Sequence, residues 1–173
     1  MNQLDDNKQS EDRQKPWLPP LVGAISDGKV TWQGIKGVDF ELLGYFLSCH
    51  LVIEHYMDEF LKATYPMLSW EAAKPTFTQR VALLTDMRLP DRFNCIPAIK
   101  HMNTIRNKLS HRIEFKIDAE ALLPLQQYVQ KASKQALQPL GPKELLEHFT
   151  SLCCATFAGS ISMTVHQTNY TRR

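Results

Sequence analysis

Apolar residues recur at three- and four-residue spacing through most of the chain, and this period predicts an all-α protein. Between Asp39 and Thr64 the residues Phe40, Leu43, Phe46, Leu47, Leu51, Ile53, Met57, Phe60 and Leu61 mark the apolar side of a long helix, with Asp39 as N-cap and Pro66 beyond its end. A second helix is expected from Thr76 to Thr85, capped by Thr76 or Thr78 and burying Phe77, Val81, Leu83 and Leu84. Met87-Arg88-Leu89-Pro90 breaks that pattern, and a third helix is expected from Asp91, with Phe93, Ile96, Ile99, Met102, Ile105 and Leu109 on its inner side. Ile113 to Ile117 alternates apolar and charged residues, as a short extended segment or an irregular helix ending would. Asp118 then caps a helix over Ala119 to Ala136, in which Pro124 marks a kink or a delayed start.

Leu140-Gly141-Pro142 is a stop, and the last helix is expected from Pro142 or Lys143 to about Val165. Between His148 and His166 it holds no charged residue and many small ones, which predicts burial on more than one side, either inside the monomer or at a subunit interface. Residues 1–15 are almost entirely polar and read as a flexible tail. Residues 16–38 read as an irregular arm that buries Trp17 and Trp32 against the body, with its glycines compatible with a short hairpin at Val30 to Trp32. The organisation expected is therefore this tail and arm, a helical domain over 39–166 and a C-terminal tail over 167–173.

Composition narrows the function without choosing it. A chain of 173 residues suggests one domain, and its formal net charge of +2 means that any nucleic-acid site must come from local clustering. Cys49, Cys95, Cys153 and Cys154 show no Cys-x-x-Cys spacing, which argues against a disulfide framework or a zinc site and for a reducing compartment. No stretch resembles a secretory signal or reaches membrane-spanning length, so a soluble cytoplasmic protein is expected.

One local cluster stands out. In Ile105-Arg106-Asn107-Lys108-Leu109-Ser110-His111-Arg112, Arg106 and His111 are joined by Asn107, Lys108, Ser110 and Arg112, all able to bind a phosphate oxygen. Cleaving RNA without a metal requires a base for the 2′-hydroxyl, a cation beside the phosphorane oxygens and an acid for the leaving oxygen. Imidazole suits either proton step and guanidinium suits the phosphate. On a straight helix, however, Arg106 borders the core stripe and His111 points about 140° away from it. The two can meet on one substrate only if the helix bends near Ser110 or a second copy supplies one of them. His50 and Glu54, four apart on the first helix, can ligate a metal given a third ligand, share a helical hydrogen bond, or orient the arginine of this cluster. A small-molecule pocket beneath the arm bearing Trp17 and Trp32 is a further reading that rests on those aromatics alone.

The stretch Phe77-Thr78-Gln79-Arg80-Val81-Ala82-Leu83-Leu84, followed after a gap by Ile105-Arg106-Asn107-Lys108-Leu109-Ser110-His111, resembles the helical HEPN superfamily. It is most similar to the branch with an Arg-Asn-Lys-(apolar)-(small)-His signature near a helix end, which includes mannitol-operon-repressor-like proteins, and the likeness covers about Asp39 to Ile117. The resemblance implies an up-down helical bundle and a metal-independent endoribonuclease of the toxin, phage-defence or RNA-processing kind, with no cofactor. It implies a homodimer in which Arg106 and His111 come from two protomers, with Asn107 in support, an RNA substrate, and a protein antitoxin or regulator as a further partner. Lys108, Ser110 and Arg112 are the expected substrate-binding residues, and Glu54 the expected supporting carboxylate. Ile113 stands where members paired with a nucleotidyltransferase carry tyrosine, so modification there is not expected. Other members are non-catalytic adaptors or transcriptional regulators, the alternative reading for this chain.

Overall fold

The structure, a computed structural model, describes residues 21–33, 37–84, 87, 89–112, 115–133 and 140–171, with side chains described through residue 164. The expected flexible tail, Trp17 and part of the alternating segment at Ile113 lie outside these residues. The chain divides into two compact units, residues 1–38 and 39–173.

In the first unit, β1 (Leu21–Ser26) pairs antiparallel with β2 (Lys29–Gln33). The turn is Asp27-Gly28, both with positive φ (50° and 71°), the two-residue geometry whose twist matches a hairpin. A bulge between Val22 and Ala24 is clamped by Thr31, whose hydroxyl accepts from the Ala24 amide at 2.8 Å and donates to the Ala24 carbonyl at 3.1 Å. Trp32 is 61% exposed, along with Val22, Ile25 and Val30. Strands of six and five residues form a single layer among the described residues, so the hairpin itself does not cover the Trp32 indole.

The second unit is all-α. Helix α1 (Phe40–Thr64) begins where expected, with Asp39 accepting from the Leu42 amide at 2.9 Å. A single turn, α2 (Trp70–Ala73), precedes α3 (Phe77–Leu83), which starts with a reciprocal capping box between Thr76 and Gln79. The third predicted helix starts late. Asp91–Phe93 forms a 3-10 turn and α4 (Ile96–His111) begins five residues after Asp91, because Pro97 has no amide hydrogen and fits only a first turn; the Asn94 carboxamide accepts from the Ile96 amide at 3.2 Å. Helix α5 (Ala119–Ser133) is capped by Asp118 and carries Pro124 inside it. Helix α6 (Pro142–Thr171) runs six residues past its expected end at Val165.

The core is one cluster. Phe46, Ile53, Met57 and Leu61 of α1 meet Ile99, Met102 and Ile105 of α4, Leu122, Leu125 and Val129 of α5, and Leu146, Phe149 and Phe157 of α6. Helix directions follow from paired residues. His101 of α4 reaches the Ala121 carbonyl at 2.8 Å, and Arg92, just before α4, donates to the Ala132 carbonyl at 2.9 Å, so α4 and α5 are antiparallel. Helices α1 and α6 instead run in the same direction, joined by a Lys143–Glu41 ion pair near their starts and by Phe157 against Phe60 (5.9 Å between centroids) further along. Alternation therefore holds at α4 and is broken at the α1–α6 pair. Helix α6 buries Leu145, Leu146, Phe149, Cys153 and Phe157 on one stripe, while Ser151, Ala155, Ala158, Gly159 and Met163 stay exposed. Within the chain, α6 thus buries one stripe, shared between α1 and α5. Among the described residues, no helix is long and apolar enough to cross a membrane.

Candidate functional site

Helix α4 organises the site. Ala98, Ile99, Met102 and Ile105 fix its inner face in the core, leaving Arg106, Asn107, Lys108, Ser110, His111 and the following Arg112 exposed. The helix is unbroken through His111, with the Arg112 amide closing on the Lys108 carbonyl at 2.9 Å. The helix is therefore not interrupted at Ser110, and at helical spacing Arg106 and His111 stand about 140° apart around the axis. Within one chain they do not face one point.

Local bonds sort the other candidates. Arg106 Nη1 donates to Asn107 Oδ1 at 3.4 Å, a long bond that leaves most of the guanidinium donors facing outward. Ser110 Oγ donates to the Arg106 carbonyl at 3.0 Å, so its proton serves the helix and its lone pairs remain. The Lys108 ammonium lies 5.4 Å from the centroid of Phe115 in a cation–π contact.

Behind α4 lies a buried polar group. His50 of α1 is 5% exposed, with Nδ1 3.7 Å from Glu54 Oε2 and its ring 4.9 Å from that of Phe77. Burial pushes its pKa down and the nearby Arg106 charge adds to this, against Glu54 and the Asn103 side chain, which favour the protonated ring. Its Nε2 makes no well-formed hydrogen bond among the described residues. Glu54 accepts from Arg80 Nη1, and Arg80 Nε lies 3.1 Å from Asp58 Oδ1. Burial raises the Asp58 pKa, and Arg80 opposes that rise.

Glu54, expected to support the motif arginine, is thus engaged by Arg80 and lies beside His50. Arg80 is a 19%-exposed bridge between two carboxylates, because α3 packs its polar edge onto α1. A sequence signal for this existed: Glu54 and Asp58 stand four apart on α1, and Arg80 is the only charged residue of α3. His50, Asn103 and Phe77 were not legible as one group, since they come from three helices.

Between α3 and α4 a cleft of about 280 Å³ is lined by Phe77, Thr78, Val81, Ala82, Lys100 and Asn103. At the opposite end of α4, Cys95 and Cys153 are fully buried free thiols in contact with each other and with Tyr128; the hydrogen bond with Cys153 lowers Cys95, whereas burial raises Cys153 and pushes Cys154 up to about 11, which makes those last two poor nucleophiles. Among the described residues no group of three or more His, Cys, Asp or Glu is placed to hold a metal ion. The chain matches no family model, no curated protein and no solved structure.

Proposed function

We propose that the chain is a metal-independent endoribonuclease of the HEPN type, acting as a homodimer whose site combines Arg106 of one protomer with His111 of the other. The observation that supports this is the placement of both side chains, exposed on one unbroken helix and too far apart around it to serve one substrate alone. In the proposed reaction the imidazole of one His111 accepts the 2′-hydroxyl proton as that oxygen attacks the adjacent phosphorus. Arg106 donates two hydrogen bonds to the non-bridging oxygens, and the 5′-oxygen leaves as it takes a proton from an acid in the same cleft. Asn107, Lys108 and Arg112 bind neighbouring phosphates, and Ser110 accepts from a ribose hydroxyl. A toxin or phage-defence effector held in check by a protein antitoxin is the role that suits such an activity.

The test is complementation. Arg106→Ala and His111→Ala each abolish cleavage of single-stranded RNA, while an equimolar mixture, refolded together, regains about a quarter of the wild-type rate, because half the dimers are mixed and each has one complete site. Activity from wild type with no recovery in the mixture would overturn the composite site. An intact, folded wild type that cleaves no RNA favours the alternative, a non-catalytic adaptor or transcriptional regulator.

A further inference from the structure

The cleft between α3 and α4 has an aromatic and aliphatic floor from Phe77 and Val81, and a rim from Thr78, Asn103 and Lys100. Three features make it a prepared surface. Phe77 opens a helix held by a capping box, its ring packs on the buried His50, and Arg80, three residues on, is tied to Glu54 and Asp58 of α1. The aromatic wall is therefore held from two sides. Lys100 is exposed and forms no ion pair among the described residues. Finally, α4 contains no acidic residue, while Lys100, Arg106 and Lys108 lie along it.

The cleft is continuous with the motif. Around α4, Lys100, Asn103, Asn107 and His111 fall within about 80° of one another, and they span about 16 Å along its axis. Asn103 also lies one turn before Arg106. A surface with one fixed aromatic ring, hydrogen-bonding groups at its rim and the Lys100 ammonium beside it, continued along α4 by Asn107 and His111, suits a strand of stacked bases and phosphates. Its volume lies near the lower limit for ligand pockets, which fits a single nucleoside better than a larger organic cofactor.

We propose that this cleft is a nucleotide subsite for single-stranded RNA, in which one base packs against Phe77, its edge meets Asn103 and Thr78, and the adjoining phosphate is held by Lys100. The inference rests on the ribonuclease reading of the motif and adds to it the direction of the strand, from the α3–α4 cleft towards Arg106.

The experiment uses the full chain and a fluorescent single-stranded 2′-O-methyl oligoribonucleotide, which lacks the attacking hydroxyl and so reports binding apart from cleavage. Anisotropy titrations on Lys100→Ala are expected to show about three- to tenfold weaker binding and a salt slope lower by about one. Phe77→Leu is expected to bind about tenfold more weakly with a base-dependent loss. Lys100 is exposed, so its variant folds as wild type even if Phe77→Leu lowers stability. Unchanged affinity in both variants overturns the subsite, as does a wild type that does not bind the oligonucleotide. A nucleoside 5′-monophosphate that binds as tightly as the oligonucleotide also overturns it, marking a free-nucleotide site. The two proposals separate cleanly. Cleavage by wild type with normal binding by both variants removes the subsite alone, whereas binding that depends on Lys100 and Phe77 in a chain that cleaves nothing removes the ribonuclease alone.

Discussion

His50 shows how a single buried residue ties stability to pH. Its folded pKa is depressed, chiefly by burial, so below its ordinary value of about 6.5 the unfolded chain takes up a proton that the folded chain does not. Stability from this group is therefore fully present above that pH and is lost as the pH falls. Urea titrations of wild type are expected to show the midpoint falling below about pH 6.5, with a smaller fall in His50→Gln. The contribution of Arg80 is lost in the same direction, at lower pH. Arg80→Ala leaves Glu54 and Asp58 facing each other half-buried, at a cost of about 1–3 kcal/mol at neutral pH. Asp58 already has a raised pKa, so without Arg80 it protonates more readily, and the deficit shrinks as the pH approaches the carboxylate range. A deficit of equal size at acid and neutral pH would show that the ion pairs do not carry it. The motif residues Arg106 to Arg112 were legible in sequence because they are contiguous. The group behind them was not, because periodicity places residues on a face and says nothing of which other face they meet.

Elements with local punctuation were legible, and the departures came where local chemistry changed a boundary. Asp39, Thr76 and Asp118 each cap the helix that the apolar period predicted. At α4 the apolar period extends back to Phe93, yet Pro97 moves the helix start to Ile96, since the proline's missing amide must fall in the first turn. The hairpin was only partly legible at Val30 to Trp32; its Asp27-Gly28 turn is the stronger signal. Helix α3 depends most on its cap. With seven residues it has little helical stability of its own, and Thr76→Ala is expected to cost about 1 kcal/mol in chemical denaturation. Because α3 carries Phe77 and Arg80, the same substitution should raise amide exchange along α3 and leave α5 and α6 protected. Uniform loss of protection would refute a local role for the cap.

For the molecule as a whole, every described core residue lies between Leu42 and Phe157, so removal of residues 1–38 is expected to leave the melting transition of the helical unit in place. A lost or much-broadened transition would show that the first unit contributes to that core. The five longer helices followed from the sequence, whereas the single turn at Trp70–Ala73 did not, and Phe40, Leu47, Leu51 and Phe93, expected on inner faces, are exposed. Helix direction was not legible either, because a periodic pattern reads the same for a parallel or an antiparallel neighbour.

The shared direction of α1 and α6 has an electrostatic consequence. The start of α4 meets α6 at Cys153, level with the later part of α1, while Asn103 further along α4 lies by His50, so α4 runs against α1 and α6. Helix α5, antiparallel to α4, then joins them, and three helices begin at the end of the bundle where α4 finishes. Each N-terminus presents the equivalent of about half a positive charge, and only one C-terminus stands among them. Aligned peptide dipoles of this kind repel, and the first turns carry the counter-charges: Asp39 and Glu41 on α1, Asp118 and Glu120 on α5, Glu144 on α6. Glu144→Gln is therefore expected to lower the melting temperature in low salt and much less in high salt, although the side chain is exposed. The bundle is in this sense a polarised body, and the cationic tip of α4 stands at its positive pole.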